Sequence, residues 1–144
     1  MKISMRSDYG ARALLYLAER YGEGPVQSAE IAARQSIPET YLEQLLVVLR
    51  RAGLVRSLRG PAGGHMLART PSEIRLGEVV AAMDGPSPTL SCANDSGCRV
   101  TPGCVLYDVW SELEAASRAI VDAVTLGDLL ERQTASQRRV MYHI

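Results

Sequence analysis

From Asp8 to Tyr21 the apolar residues Ala11, Leu14, Leu15, Ala18 and Tyr21 recur at intervals of three and four, which places them on one face of a helix. Ser7 or Asp8 offers an oxygen suited to capping its start, and Gly22, Gly24 and Pro25 end it. Ser28 is the expected cap of a second, short helix over Ser28-Ala-Glu-Ile-Ala-Ala-Arg-Gln. Ser36-Ile-Pro-Glu breaks the chain, and Pro38 suits the first position of a third helix, where a missing N–H costs nothing. That helix turns Tyr41, Leu42, Leu45, Leu46, Val48 and Leu49 to one side and stops before Gly53, a good left-handed terminator.

The pattern then changes. Leu54-Val-Arg-Ser-Leu-Arg and His65-Met-Leu-Ala-Arg flank Gly60-Pro-Ala-Gly-Gly, two strand-like runs around a glycine-rich tip, and so predict a β-hairpin. Helix, helix, turn, helix, hairpin is the order of a winged helix-turn-helix; the plainer alternative is a small helical domain with a hairpin attached. Leu76 to Met83 predicts a further helix, stopped by Asp84-Gly-Pro-Ser-Pro. Beyond a cysteine-bearing loop, Leu106, Val109, Trp110, Leu113, Ala116, Ile120 and Val124 repeat over about five turns. So long a helix exceeds what a small body can bury and predicts packing on a second copy; the alternative is a helix folded back over its own domain. Thr125-Leu-Gly-Asp-Leu-Leu starts a last short helix. The expected class is mainly α with a small β-hairpin: a DNA-binding winged helix-turn-helix over 1–84, a cysteine loop over 85–104, a dimerisation helix and short helix over 105–131, and a loosely held tail over 132–144.

Composition adds three constraints. The 144 residues, 47% hydrophobic, suffice for one core, and with no Phe and one Trp that core must be aliphatic. No run approaches the roughly 20 apolar residues of a membrane span, so a cytoplasmic protein without a membrane partner is expected. The 16 basic and 16 acidic residues cancel, but not locally. Residues 26–75 carry seven bases and four acids, whereas residues 76–144 carry five and nine; the predicted reading head and wing are therefore basic and the remainder acidic.

On the third helix the face opposite the apolar stripe aims Thr40, Glu43 and Gln44 outward. Gln bonds adenine bidentately, Glu accepts from cytosine N4, and Thr bonds a base edge or touches a thymine methyl. Glu43 is repelled by phosphate unless it finds a donor, which favours a specific reader over a general coat. Arg50 and Arg51 at the helix end and Arg56 and Arg59 on the wing supply phosphate contacts, with Arg59 beside Gly60 placed for the minor groove; Arg50 and Arg51 equally suit the helix C-terminal dipole. Ser28 and Tyr41 complete the expected contact set. No nucleophile and base stand at readable spacing, and Gly60-Pro-Ala-Gly-Gly is neither a phosphate loop nor a dinucleotide fingerprint, so an enzyme is not expected.

Cys92, Cys98 and Cys104 fall within one glycine- and proline-containing loop. An odd number argues against disulfides. Three thiolates suit zinc, copper(I) or an iron–sulfur cluster, although the close pairs usual for structural zinc are absent; a cluster, zinc and a thiol redox switch all remain open. A fourth ligand would come from Tyr107 or Asp108, one turn after Cys104, from Asp95, or from the sequence-distant Asp8 or His65.

These residues together resemble the IscR-type family of bacterial iron–sulfur winged-helix regulators, which includes NsrR- and RirA-like members. The resemblance covers about residues 1–131 and rests on the opening Met-Lys-Ile-Ser, Tyr41-Leu-Glu-Gln-Leu-Leu, Leu49-Arg-Arg-Ala-Gly-Leu-Val-Arg-Ser-Leu-Arg-Gly, Gly63-Gly-His-Met-Leu-Ala and the three cysteines. It implies a homodimer that crosses its long helices on a palindromic promoter site, acts as a repressor, and holds an iron–sulfur cluster on the three cysteines. IscR-like members use a histidine three residues after the last cysteine, where this chain has Tyr107. NsrR-like members hold a [4Fe-4S] cluster with an aspartate from the other subunit, and Asp8 stands at that position. The resemblance therefore favours [4Fe-4S] over [2Fe-2S], with Asp8 as the fourth ligand.

Overall fold

A computed structural model describes residues 2–85 and 104–143. Helix α1 spans Met5–Glu19, α2 Ser28–Gln35 and α3 Glu39–Arg51; strands β1 (Val55–Leu58) and β2 (Gly64–Leu67) form the hairpin; a single 3-10 turn precedes α4 (Leu76–Asp84), and α5 (Val105–Ala123) and α6 (Leu126–Tyr142) complete the chain. This is the expected class, mainly helical with one antiparallel hairpin paired from Val55 with Leu67 to Leu58 with Gly64. Among the described residues no helix is long and apolar enough to cross a membrane.

The core follows the predicted stripe on α3, but α1 is rotated from its own: Leu14 and Ala18 are buried as expected with Ala13, Tyr16 and Leu17 beside them, whereas Leu15 is only partly covered and Tyr21, beyond the end of α1, is exposed. Leu14 and Leu17 of α1, Ile31 of α2, and Leu42, Leu45, Leu46 and Leu49 of α3 meet Leu54, Leu67, Ile74, Val79 and Leu126, all buried. Tyr41 and Val48, at the edges of the α3 stripe, are only partly covered. Gly53, at φ +76°, ends α3 as expected.

Several boundaries differ from the sequence reading. Helix α1 starts one turn earlier, because Ser4, extended at φ −75° and ψ 161°, accepts a hydrogen bond from the Ser7 N–H and is the true cap. Asp8 is thus inside the helix, and Ser7 is buried at 1% exposure with its hydroxyl donating to Asp84. Gln27, not Ser28, precedes α2, and Pro38 stands one residue before α3. Residues 132–142, expected as a loosely held tail, form the largely exposed end of a 17-residue α6. No Gly or Pro interrupts them, their Arg, Gln, Ala and Met are good helix formers, and a reciprocal cap between Thr125 and Asp128 starts the helix firmly.

Helix α5 contributes no buried residue. Leu106, Val109, Trp110, Leu113 and Ile120 lie open to solvent. Its C-terminal end is nonetheless tied to the body: Arg75 pairs with Thr125 in an isolated bridge, Leu76 N–H donates to the Val124 carbonyl at 2.8 Å, Leu126 N–H to that of Ile74 at 2.9 Å, and the Arg75 guanidinium to the Asp122 carbonyl at 2.6 Å.

Candidate nucleic-acid interface and cysteine site

The turn between α2 and α3 fixes how the third helix is presented. Ser36 is its pivot, the one non-glycine residue with positive φ among those described, at φ 53° and ψ 47°. The Arg12 guanidinium reaches from α1 to the Gln35 carbonyl at 2.9 Å just before it. A second brace joins α1 to α2, where the Tyr16 hydroxyl and Arg20 both donate to Glu30, at 2.6 and 2.5 Å. That bond from Tyr16, with the one from Arg20, holds the Glu30 carboxyl below its ordinary pKa, and the Glu30 acceptor raises the phenol of Tyr16.

With its inner stripe buried, α3 leaves Thr40, Glu43, Gln44, Arg50 and Arg51 exposed. Thr40, Glu43 and Gln44 point outward as the sequence expects, and Arg50 and Arg51 are exposed beside them at the helix end. Tyr41 is held at the margin, its ring edge-on to Tyr9 with centroids 5.9 Å apart, while Arg12 lies 4.7 Å from the Tyr9 ring centre. Ser28 faces the same surface, its hydroxyl 3.5 Å from the Glu43 carboxylate, so the start of α2 and the outer face of α3 are one continuous polar patch.

The wing stands beside it. Arg56, Arg59 and Gly60 are exposed, with Arg59 and Gly60 at the tip. The tip is tight because a Cβ on Gly63 would stand inside the Leu58 carbonyl and 2.9 Å from the Arg59 carbonyl carbon. Val26 pairs with His65 from the other side through backbone bonds of 2.8 and 2.7 Å, which anchors β2 to the body. Between α3 and the wing, Glu43, Leu46, Val47, Arg50, Ser57 and His65 line a groove of about 200 Å³. Burial and the Arg50 guanidinium lower the His65 pKa below the ordinary imidazole value, against the opposing pull of Glu43.

Of the proposed cluster ligands, Cys92 and Cys98, like Asp95, lie outside the described residues. Cys104 immediately precedes α5, partly exposed, its side chain making no capping hydrogen bond. Tyr107 and Asp108 are exposed on the first turn of α5. Asp8 is exposed on α1 and pairs with Arg12 at 3.0 Å; an ion pair this open is weak, so its carboxylate can exchange partners. A soft thiol at the head of a helix and an exposed carboxylate held only by a weak ion pair match the donor chemistry of an iron–sulfur centre. The described residues alone contain no convergent group of three ligand side chains.

One element escaped the sequence reading. The Asp84 carboxylate, at the end of α4, accepts from the Ser4 hydroxyl at 2.5 Å and the Ser7 hydroxyl at 2.6 Å, clamping the first turn of α1 to the point where the chain leaves for the cysteine loop. Burial alone would raise the Asp84 carboxyl, but these bonds outweigh it and hold its pKa below the ordinary aspartate value. The i, i+3 spacing of Ser4 and Ser7 was the only local hint.

Residues 3–132 match the Rrf2 family, described as iron-dependent transcriptional regulators. The chain belongs to the Rrf2 family. Among curated Rrf2 relatives, the HTH-type transcriptional regulator IscR of Aliivibrio salmonicida is 38% identical over 142 residues, covering 96% of this chain and 84% of that protein. IscR of Klebsiella pneumoniae is 36% identical, covering 92% and 82%. Among solved structures, CymR, the global cysteine regulator of B. subtilis, superposes with a TM-score of 0.81 at 32% identity, covering 92% of this chain and 98% of CymR. T. potens IscR gives 0.77 at 37%, covering 95% and 91%. This Rrf2 protein is accordingly a DNA-binding transcriptional regulator with a winged-helix fold, and not an enzyme.

Proposed function

We propose that this Rrf2 protein is a homodimeric repressor whose affinity for a palindromic promoter site is set by an iron–sulfur cluster, [4Fe-4S] in preference to [2Fe-2S], that reports iron supply, redox state or nitric oxide. Cys92, Cys98 and Cys104 would hold it, with the partner subunit's Asp8 as fourth ligand and Tyr107 or Asp108 as substitutes. Bound there, such a centre supplies an iron site that oxygen or nitric oxide can attack, and a carboxylate ligand, weaker than thiolate, leaves it labile.

The carrying observation is α5: a 19-residue helix with an exposed apolar face, a thiol at its head and its other end tied to the DNA-reading body. A second copy is the natural cover for Leu106, Val109, Trp110 and Leu113, and a two-fold pair reads a palindrome. On each half-site Thr40, Glu43 and Gln44 would read bases while Ser28, Tyr41, Arg50, Arg51 and Arg56 hold phosphates, with Arg59 and Gly60 at the minor groove. Ligands drawn from α1 of one subunit and α5 of the other would make the spacing of the two α3 helices depend on ligation, and a 1.4 kcal/mol change already alters affinity tenfold.

Protein purified without oxygen is expected to be brown, and to lose both colour and promoter affinity together on exposure to nitric oxide. The Cys92→Ala variant should bind DNA as the bleached protein does. A colourless protein whose DNA affinity responds to thiol oxidants or to zinc would replace this reading with a thiol or zinc switch.

A further inference from the structure

The groove between α3 and the wing holds donors that base reading by α3 does not use. Arg50 comes from α3, Ser57 from β1 and His65 from β2; Leu46 and Val47 lie between them, and Glu43 completes the lining. Ser57 and His65 are cross-strand partners, their Oγ and Nδ1 2.8 Å apart, and the His65 backbone is fixed by both hydrogen bonds to Val26. With α3 in the major groove and the wing at the adjacent minor groove, the sugar–phosphate strand that divides the grooves crosses between them.

We propose that this groove seats one backbone phosphate of the DNA, held by Arg50, Ser57 and His65, and that His65 takes up a proton from solvent as the phosphate enters. The proposal rests on the DNA-reading role of α3 and adds a proton to it. The charges require that proton. From α3, Arg50 and Glu43 act on the imidazole in opposite directions; from β1, neutral Ser57 bonds it; the Val26 segment meets it through backbone bonds. With a neutral ring the groove has no net charge to offer a phosphate, and Glu43 repels one. In the free protein, burial and Arg50 favour that neutral ring. An entering phosphate offsets Arg50 and gives the imidazolium a partner, so Nδ1–H can donate to Ser57 Oγ and Nε2–H to a phosphate oxygen.

The chain has only two histidines, and His143, exposed beyond the end of α6, is an internal reference. Their titrations should be followed by NMR in the whole protein, free and bound to a duplex that the protein itself selects from a random pool. The His65 midpoint is expected to rise on binding by about one pH unit or more, while that of His143 stays. Over the same range affinity should strengthen as pH falls, by up to about tenfold per subunit per unit. His65→Gln should flatten that dependence, and Ser57→Ala should reduce it. An unshifted His65 midpoint on bound DNA, or a wild-type pH dependence in His65→Gln, overturns the seat; the wild-type titration decides even where a variant fails to fold. Should the protein select and bind no duplex at any pH, the reading of α3 falls and the seat falls with it.

Discussion

The Asp84 clamp permits a prediction with its magnitude worked from the geometry. Asp84→Ala removes the acceptor of two hydroxyls and leaves the Ser7 oxygen, 1% exposed, without its carboxylate. Hydrogen bonds to a charged group contribute roughly 1.5–3 kcal/mol each. Asp84 and Ser4 are only partly buried, so the lower figure applies to both, and water recovers part of the Ser4 loss. The expected cost is about 2 kcal/mol, or a fall of about 4–8 °C in melting temperature at fixed protein concentration. Asp84→Asn keeps an acceptor for one hydroxyl and should lose about half as much. Because the folded carboxyl titrates below its unfolded value, its contribution is complete above the unfolded pKa and disappears as pH falls through the folded one. The gap between wild type and Asp84→Asn should therefore be full at neutral pH and close below about pH 4. Chemical denaturation of the wild type, Ser7→Ala, Asp84→Ala and the double variant measures the coupling, expected near 1 kcal/mol. An Asp84→Ala protein within about 0.5 kcal/mol of wild type, or strictly additive single variants, would refute the clamp.

Other outcomes are expected from the same structure. Leu49→Ala, at a fully buried position of α3, should cost about 2–5 kcal/mol, read as a lower denaturation midpoint with unchanged slope. Gly63→Ala must open the wing tip against the Leu58 carbonyl; DNA affinity should fall at least tenfold while the far-UV spectrum is preserved. Gln44→Ala is expected to weaken binding to the selected duplex by roughly 1–3 kcal/mol and binding to random DNA hardly at all, measured by competition anisotropy. Leu113→Glu, on the open face of α5, should yield a protomer-sized species in sedimentation whose head retains its helical content.

The parts legible in the sequence are those set by local periodicity. The three helices of the reading head, the hairpin and the outward set Thr40, Glu43 and Gln44 follow from which faces are apolar; burial obeys the α3 face, while on α1 the inward face is shifted to include Tyr16 and Leu17 and to leave Tyr21 exposed. What the sequence conceals is set by distant partners. Asp84 lies 77 residues from Ser7, so the hydroxyl that seems free to cap α1 is committed elsewhere, and Ser4 takes its place. The bond between Ser57 and His65 depends on the hairpin register, which five intervening tip residues leave open. The α6 extension is not legible because polarity and weak apolar periodicity resemble a tail, although no residue there opposes a helix. Cys92 and Cys98 lie outside the described residues, so the ligand set rests on chemistry and kinship.

The tether at Arg75 and Thr125 makes α5 a lever. Nineteen residues at 1.5 Å each give a rod of about 28 Å, fixed to the body at Asp122–Leu126 and carrying Cys104 at its far end. Rotation of about 5° at the fixed end sweeps the thiol end through about 2.5 Å, roughly the scale of one metal–ligand bond length. Gearing also runs the other way: a displacement that small at Cys104 reaches the reading head as a change of angle and hardly as a translation. In the proposed homodimer, an angle multiplied across the two-fold pair is the coordinate on which two recognition helices would either match the pitch of DNA or miss it.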